Sequence, residues 1–259
     1  MTTTARLLTA LLLAWTSVAT SSVRAHAADP SPRPRTREVV VFAAASLTAS
    51  FRAAATAFEA AHPDTKVTLN FAGSPTLVQQ IREGAPADVF AAADEANMRK
   101  LVDAGAVAGA PRVFARNVLQ IAVAKGNLHR IAGLADLVRP GLVVVLCGET
   151  VPCGKYALEA FGKAALAPPP GSRETDVKAV VTKVALGEAD AGIVYATDVR
   201  AAADKITGVD LAPAHAVGAE YPIAILREAT HAETARAFVA FVLSGPGTTI
   251  LGAHGFLPP

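Results

Sequence analysis

The sequence is sparing with reactive chemistry. Its 259 residues include two cysteines, six histidines and one tryptophan, and only 18% are charged. The histidines are scattered, with no His-Glu-x-x-His and no close pair, which argues against a zinc site. There is no Gly-x-Ser-x-Gly elbow and no P-loop, and no paired carboxylates stand out for acid–base work. Gly187 to Gly192 reads as a helix–strand turn and not as a dinucleotide fingerprint. No repeat of fixed period and no long low-complexity tract is present, which sets solenoids and linker arrays aside.

A membrane-length apolar run is missing as well. Leu7 to Ala19 is too short for a comfortable span. With Arg6 before it and a small-residue stretch ending Ala25-His26-Ala27 after it, the segment reads as a secretory signal peptide, residues 1–27, cut before Ala28. The alternative is an uncleaved anchor helix. No cysteine lies near the cut, which argues against a lipid-anchored form. The compartment is then periplasmic or otherwise extracytoplasmic.

Cleavage removes Arg6 and Arg24 and no acid, so 24 basic against 22 acidic residues becomes 22 against 22. A near-neutral chain argues against a basic nucleic-acid surface and against a polybasic membrane patch. About 230 residues remain, enough for one large domain or two lobes with proper cores. Residues 28–36, rich in Pro, Arg and Ser, read as a disordered lead-in.

The two cysteines, Cys147 and Cys153, match neither the Cys-x-x-Cys redox motif nor a zinc pattern. In an oxidising compartment they point to a disulfide that pins the short loop between them; the alternative is a pair of inert buried thiols.

What is there is a strand–helix alternation. Val39 to Ala45 reads as a buried strand that stops at Ser46, and the helical spacing of Phe51, Ala55 and Phe58 follows at once. Ser46 sits where a helix N-cap belongs. The pattern recurs: a strand over Lys66 to Phe71, then Gly73-Ser74-Pro75, with Ser74 as N-cap and Pro75 at the first helical position. Further strands are expected at 88–94, 114–125, 142–146, 191–195 and 221–226, with helices between them, among them 155–165, 176–187 and 231–244.

This order predicts an α/β protein with mainly parallel sheets, whose ligand sits at strand carboxyl ends. Long strands near 116–124 and 221–226 bracket a block with strand–helix units of its own. The expectation is two lobes, 37–115 plus 226–259 and 120–215, joined by a hinge of two crossing strands.

Four strand-to-helix junctions converge on one kind of chemistry: Ser46, Ser74, Cys153–Gly154 and Asp176–Val177. None carries Lys or Arg at the junction itself. A helix start offers N–H groups without partners and the positive end of a dipole, so these junctions suit an anion held by neutral donors. Neutral donors also select, because a protonated anion would bring an O–H with no acceptor, at about 1–3 kcal/mol. About seven such donors at a net ~1.5 kcal/mol each reach the order of 10 kcal/mol, sub-micromolar affinity. A serine cap alone is usually only a cap; two in equivalent contexts carry more weight. Tyr195, one of three tyrosines, ends a buried strand, either as a core residue with a wet hydroxyl or as a further donor.

At these residues the chain resembles the periplasmic molybdate-binding proteins of ABC importers, a type II solute-binding family. The matching stretches run in order through residues 38–257: Val41-Phe42-Ala43-Ala44-Ala45-Ser46-Leu47-Thr48, Phe71-Ala72-Gly73-Ser74, Gly84-Ala85-Pro86-Ala87-Asp88-Val89-Phe90, Val151-Pro152-Cys153-Gly154, Gly192-Ile193-Val194-Tyr195 and Tyr221-Pro222-Ile223-Ala224. The resemblance implies a two-lobed periplasmic-binding-protein-like fold. It further implies that Ser46 and Ser74 give hydroxyl and backbone N–H to molybdate, Cys153 and Val177 their backbone N–H, and Tyr195 its hydroxyl. Cys153 replaces the alanine more usual in the family, which leaves the amide in place.

On this reading the protein is no enzyme and needs no cofactor. It captures molybdate, and tungstate as a dianion of nearly the same size, and as a monomer delivers it to an ABC permease with its ATPase. Alternatives are another oxyanion such as sulfate or thiosulfate, a ferric complex (thinly supported by Tyr195 with Tyr221), a sensor subunit, and a serine hydrolase without a motif-supported base.

Overall fold

The computed structural model describes residues 37–259, so the signal peptide and the lead-in to residue 36 lie outside the described residues. Nine strands and eight helices follow one another. The first group holds β1 (Arg37–Ala44), α1 (Thr48–Ala61), β2 (Thr65–Ala72), α2 (Ser74–Arg82), β3 (Val89–Ala91) and α3 (Glu95–Asp103). The long β4 (Arg112–Ala124) leads to β5 (Val144–Cys147), α4 (Pro152–Lys163), β6 (Arg173–Glu174), α5 (Val177–Ala185), β7 (Ala191–Tyr195), α6 (Ala196–Ala201) and β8 (Ile206–Asp210). β9 (Gly218–Ile225), α7 (Ala232–Leu243) and α8 (Gly245–Ala253) close the chain.

The strands pair along one path, β2-β1-β3-β9-β4-β7-β5-β6, with β8 also on β4. Strands linked by helical crossovers are parallel: β1 with β2 and β3, β5 with β6 and β7. The long strands are antiparallel to their neighbours. β4 gives residues 112–118 to β9 and residues 119–124 to β7 and β8, so it is shared by the two strand groups. β9 lies between β4 and β3. The chain thus crosses outward in β4 and is back beside it in β9.

β1 reads as a continuous apolar run because it is covered on both faces: Val39, Val41 and Ala43 are fully buried in the main core, Phe42 in a second cluster with Phe90 and Leu101. α1 turns Phe51 and Phe58 inward against Phe238 of α7, with ring centroids at 6.2 and 5.4 Å. Burial of each ring stabilises the fold by about 1.5–3 kcal/mol. In the second group, Val177, Val180 and Val184 of α5 and Ala157, Ala160 and Phe161 of α4 pack on β5 and β7 in the same way.

Local departures from the expected elements have physical reasons. α1 does not start at a serine cap. A 3-10 turn, Ala45–Leu47, precedes it, Ser46 sits inside that turn, and its hydroxyl caps nothing. Ser74 is the first residue of α2 and Gly73 its N-cap, one position earlier than expected. β8 was not expected from the sequence, because Ile-Thr-Gly-Val-Asp is short and only Ile206 is buried. The disulfide Cys147–Cys153 is present and joins the end of β5 to the first turn of α4.

Candidate ligand-binding site

The junctions singled out in the sequence meet around one small pocket. Ala45, Ser46, Gly73, Ser74 and Ala93 line it from the first strand group; Pro152, Cys153, Asp176, Val177 and Tyr195 line it from the second. All five expected residues, Ser46, Ser74, Cys153, Val177 and Tyr195, are therefore brought together, although 149 positions separate the first from the last.

The backbone supplies four donors. Ser46 and Ser74 lie in the first turn of their helices, Cys153 and Val177 at the second and first positions of α4 and α5. N–H groups in a first turn have no partner within the helix. At α5 the spare donors are sorted: Asp176 Oδ1 accepts from Lys178 N at 2.8 Å and Ala179 N at 3.1 Å, which leaves the Val177 N–H to the pocket. At α4 no side chain caps the helix. Gly154 packs its α-carbon against the carbonyls of Cys147 and Gly148, so a larger residue would push the helix start off the disulfide loop.

The hydroxyls add three more. Ser74 Oγ accepts from the Ala93 N–H at 3.2 Å, and since an amide only donates, the Ser74 proton is free for the pocket. Ser46 Oγ lies 3.0 Å from Tyr221 Oη. Tyr195 Oη is buried and, among the described residues, has no hydrogen-bond partner. An orphaned buried hydroxyl costs about 1–3 kcal/mol, so its presence facing a pocket calls for a partner from a ligand. Burial, with nearby Tyr221 adding to it, pushes the Tyr195 phenol well up, so it stays a proton donor.

Charges surround the pocket without entering its donor set. Lys178 follows Val177, but its Nζ lies 2.7 Å from Asp198 Oδ1, and that buried carboxylate also accepts from Tyr195 N at 3.2 Å. Burial pushes the Asp198 carboxyl up, and the Lys178 ammonium works against this. Asp94 caps α3 through Asn97 N at 3.0 Å, and Lys155 of α4 approaches its other oxygen at 4.0 Å. Each carboxylate near the pocket is held by helix amides or a lysine, so the lining presents neutral donors.

The walls touch each other at Gly73. A Cβ there would run into the carbonyl oxygen of Thr175 from the opposite side. Glycine at this N-cap lets the two junctions close on one small solute.

Sequence reasoning did not find Asn117, Ala93 or Asp94 as parts of this surround. Asp176 is named in the sequence at its junction, and it caps α5 as a helix start there requires. Asn117 and Ala93 carried none, because their partners lie 104 and 19 positions away.

The profile of the bacterial extracellular solute-binding protein family matches residues 39–257. The chain is 41% identical over 242 residues to the molybdate-binding protein ModA of Mycobacterium tuberculosis, covering 93% of each. Among solved structures, the periplasmic molybdate-binding protein of Azotobacter vinelandii superposes with a TM-score of 0.75 at 19% identity, over 85% of this chain and 99% of that one. The sulfate-binding protein SubI of Mycobacterium tuberculosis superposes with a TM-score of 0.77 at 20% identity, over 86% and 87%. At these identities the two structures speak for the fold alone.

Proposed function

The chain belongs to the bacterial extracellular solute-binding protein family, and we propose that it captures molybdate, and with it tungstate, in the pocket between its two strand groups. The family is one of binding proteins and not of enzymes, which sets the hydrolase reading aside. The observation that carries the proposal is the buried Tyr195 hydroxyl, which among the described residues has no hydrogen-bond partner and belongs to a residue that lines one pocket with Ser46, Ser74, Cys153 and Val177.

Seven neutral donors suit a small, fully ionised tetrahedral anion. Lobes 37–115 plus 226–259 and 120–215 would carry the opposite walls, and strands near 116–124 and 221–226 would be the hinge. The loaded form would hand its ligand to an ABC permease and its ATPase outside the cytoplasm, acting as a monomer after loss of residues 1–27.

Sulfate is the reading to beat, since a sulfate-binding protein shares the fold. Titration calorimetry with molybdate, tungstate, sulfate and phosphate decides between them. Molybdate and tungstate are expected to bind below micromolar and to raise the melting temperature. Equal heat and equal stabilisation from sulfate would overturn the assignment.

A further inference from the structure

Tyr221 and Asn117 form a chain of hydrogen bonds behind Ser46, and all three residues are buried. The direction of the chain follows from its far end. Asn117 Oδ1 accepts from the Val118 N–H at 3.0 Å, and an amide N–H can only donate, so the Nδ2 side of the carboxamide faces the other way. Nδ2 then donates to Thr197 Oγ1 at 2.8 Å and to Tyr221 Oη at 3.4 Å.

Tyr221 Oη therefore receives a hydrogen bond and has one proton to give. Its remaining partner is Ser46 Oγ at 3.0 Å, and a buried hydroxyl that gave its proton to nothing would cost about 1–3 kcal/mol. The Ser46 oxygen accepts that proton, and its own O–H is left for the pocket. Burial pushes the Tyr221 phenol up, so the proton stays on the ring oxygen across the physiological range.

We propose that Asn117 and Tyr221 are positioning residues that fix Ser46 as a hydrogen-bond donor and thereby make the pocket reject anions that carry a proton. The inference rests on the oxyanion reading above. Ser74 reaches the same state by another route, since the Ala93 amide holds its oxygen and cannot be reversed by a side-chain change. Ser46 is the one serine whose polarity depends on replaceable side chains, so it is where anion selectivity can be tuned. With its oxygen freed, Ser46 could turn and accept the O–H of a protonated anion.

Tyr221→Phe tests this while keeping the ring that packs edge-on against Phe114 and Phe256 at 6.3 and 5.3 Å. In mildly alkaline buffer molybdate carries no proton, and inorganic arsenate still carries one. Arsenate affinity is read by competition with molybdate. Molybdate is expected to bind about tenfold more weakly to the variant, arsenate no more weakly than before, so their ratio narrows by about tenfold or more. In a Ser46→Ala background the same Tyr221→Phe change should leave that ratio where it was. Asn117→Leu, altering the chain from another residue, should narrow it in the same direction by about threefold.

The proposal fails if both anions weaken by the same factor, if the ratio shift persists without the Ser46 hydroxyl, or if Asn117→Leu widens it. Absence of molybdate binding by the unaltered protein is a separate result, and it would overturn the oxyanion reading itself.

Discussion

On the side of α1 and α2 the pocket is lined by serine hydroxyls with their backbone amides; on the side of α4 and α5 the amides stand without hydroxyls, Tyr195 supplying one from the end of β7. The two walls also differ in what holds them. Ser46 and Ser74 are oriented by hydrogen bonds from distant residues, Tyr221 and Ala93. The Cys153 amide is placed by Gly154 packed on the loop that the disulfide to Cys147 closes, and the Val177 amide by the Asp176 cap. A hydroxyl wall can be altered by side-chain exchange. An amide wall keeps its donors under any exchange except to proline.

This contrast can be broken most directly by removing the hydroxyls. Ser46→Ala with Ser74→Ala should lose about 3–6 kcal/mol of molybdate binding, a hundredfold to ten-thousandfold in calorimetric affinity, with the fold intact by circular dichroism. Unchanged affinity would move the site elsewhere. The contact between the walls comes next. Gly73→Ala forces a methyl toward the Thr175 carbonyl and should hold the walls apart, weakening binding by about 1–3 kcal/mol while the unliganded melting temperature barely moves. Full affinity in this variant would show that the walls need not meet there.

A smaller effect is expected from deleting one amide. Val177 is the first residue of α5, where proline is well tolerated, and Asp176 before it has the extended backbone a following proline requires (φ −158°, ψ 168°). Val177→Pro should cost about 1.4 kcal/mol, tenfold in affinity by titration, and no loss of affinity would remove this amide from the ligand set. The smallest change in binding belongs to the disulfide. Cys147→Ser with Cys153→Ser should lower stability in urea unfolding by about 2–3 kcal/mol, because the closed loop is short, yet change affinity less than about threefold. A larger loss of affinity would mean that the cross-link, and not the packing of Gly154, positions the Cys153 amide.

Much of this was legible in the chain. The strand–turn–helix junctions were found because an apolar run changing from buried-strand to helical spacing is a local signal, and so is the oxidising context of Cys147 and Cys153. The reading slipped where local logic suggested more than it could deliver. Ser46 has the look of an N-cap, but Tyr221, 175 positions away, claims its oxygen, and a 3-10 turn starts the helix without it. Ser74 is displaced from the cap by one residue because a glycine is needed there to meet the other wall. β8 escaped because it gains its hydrogen bonds from β4, far along the chain, with only one buried side chain of its own.

By itself the sequence determined, to within about one turn, where these helices begin, and so which stretches offer backbone amides without helical partners, since that follows from hydrogen bonds spanning four residues. It also determined that no Lys or Arg stands at those junctions. The tertiary structure alone decided that five such residues share one pocket, that Lys178 pairs with Asp198, and that Tyr221 and the Ala93 amide reach the oxygens of Ser46 and Ser74. The direction of a hydroxyl proton is set by whichever donor reaches its oxygen, and for both serines that donor comes from a part of the chain that only folding brings near.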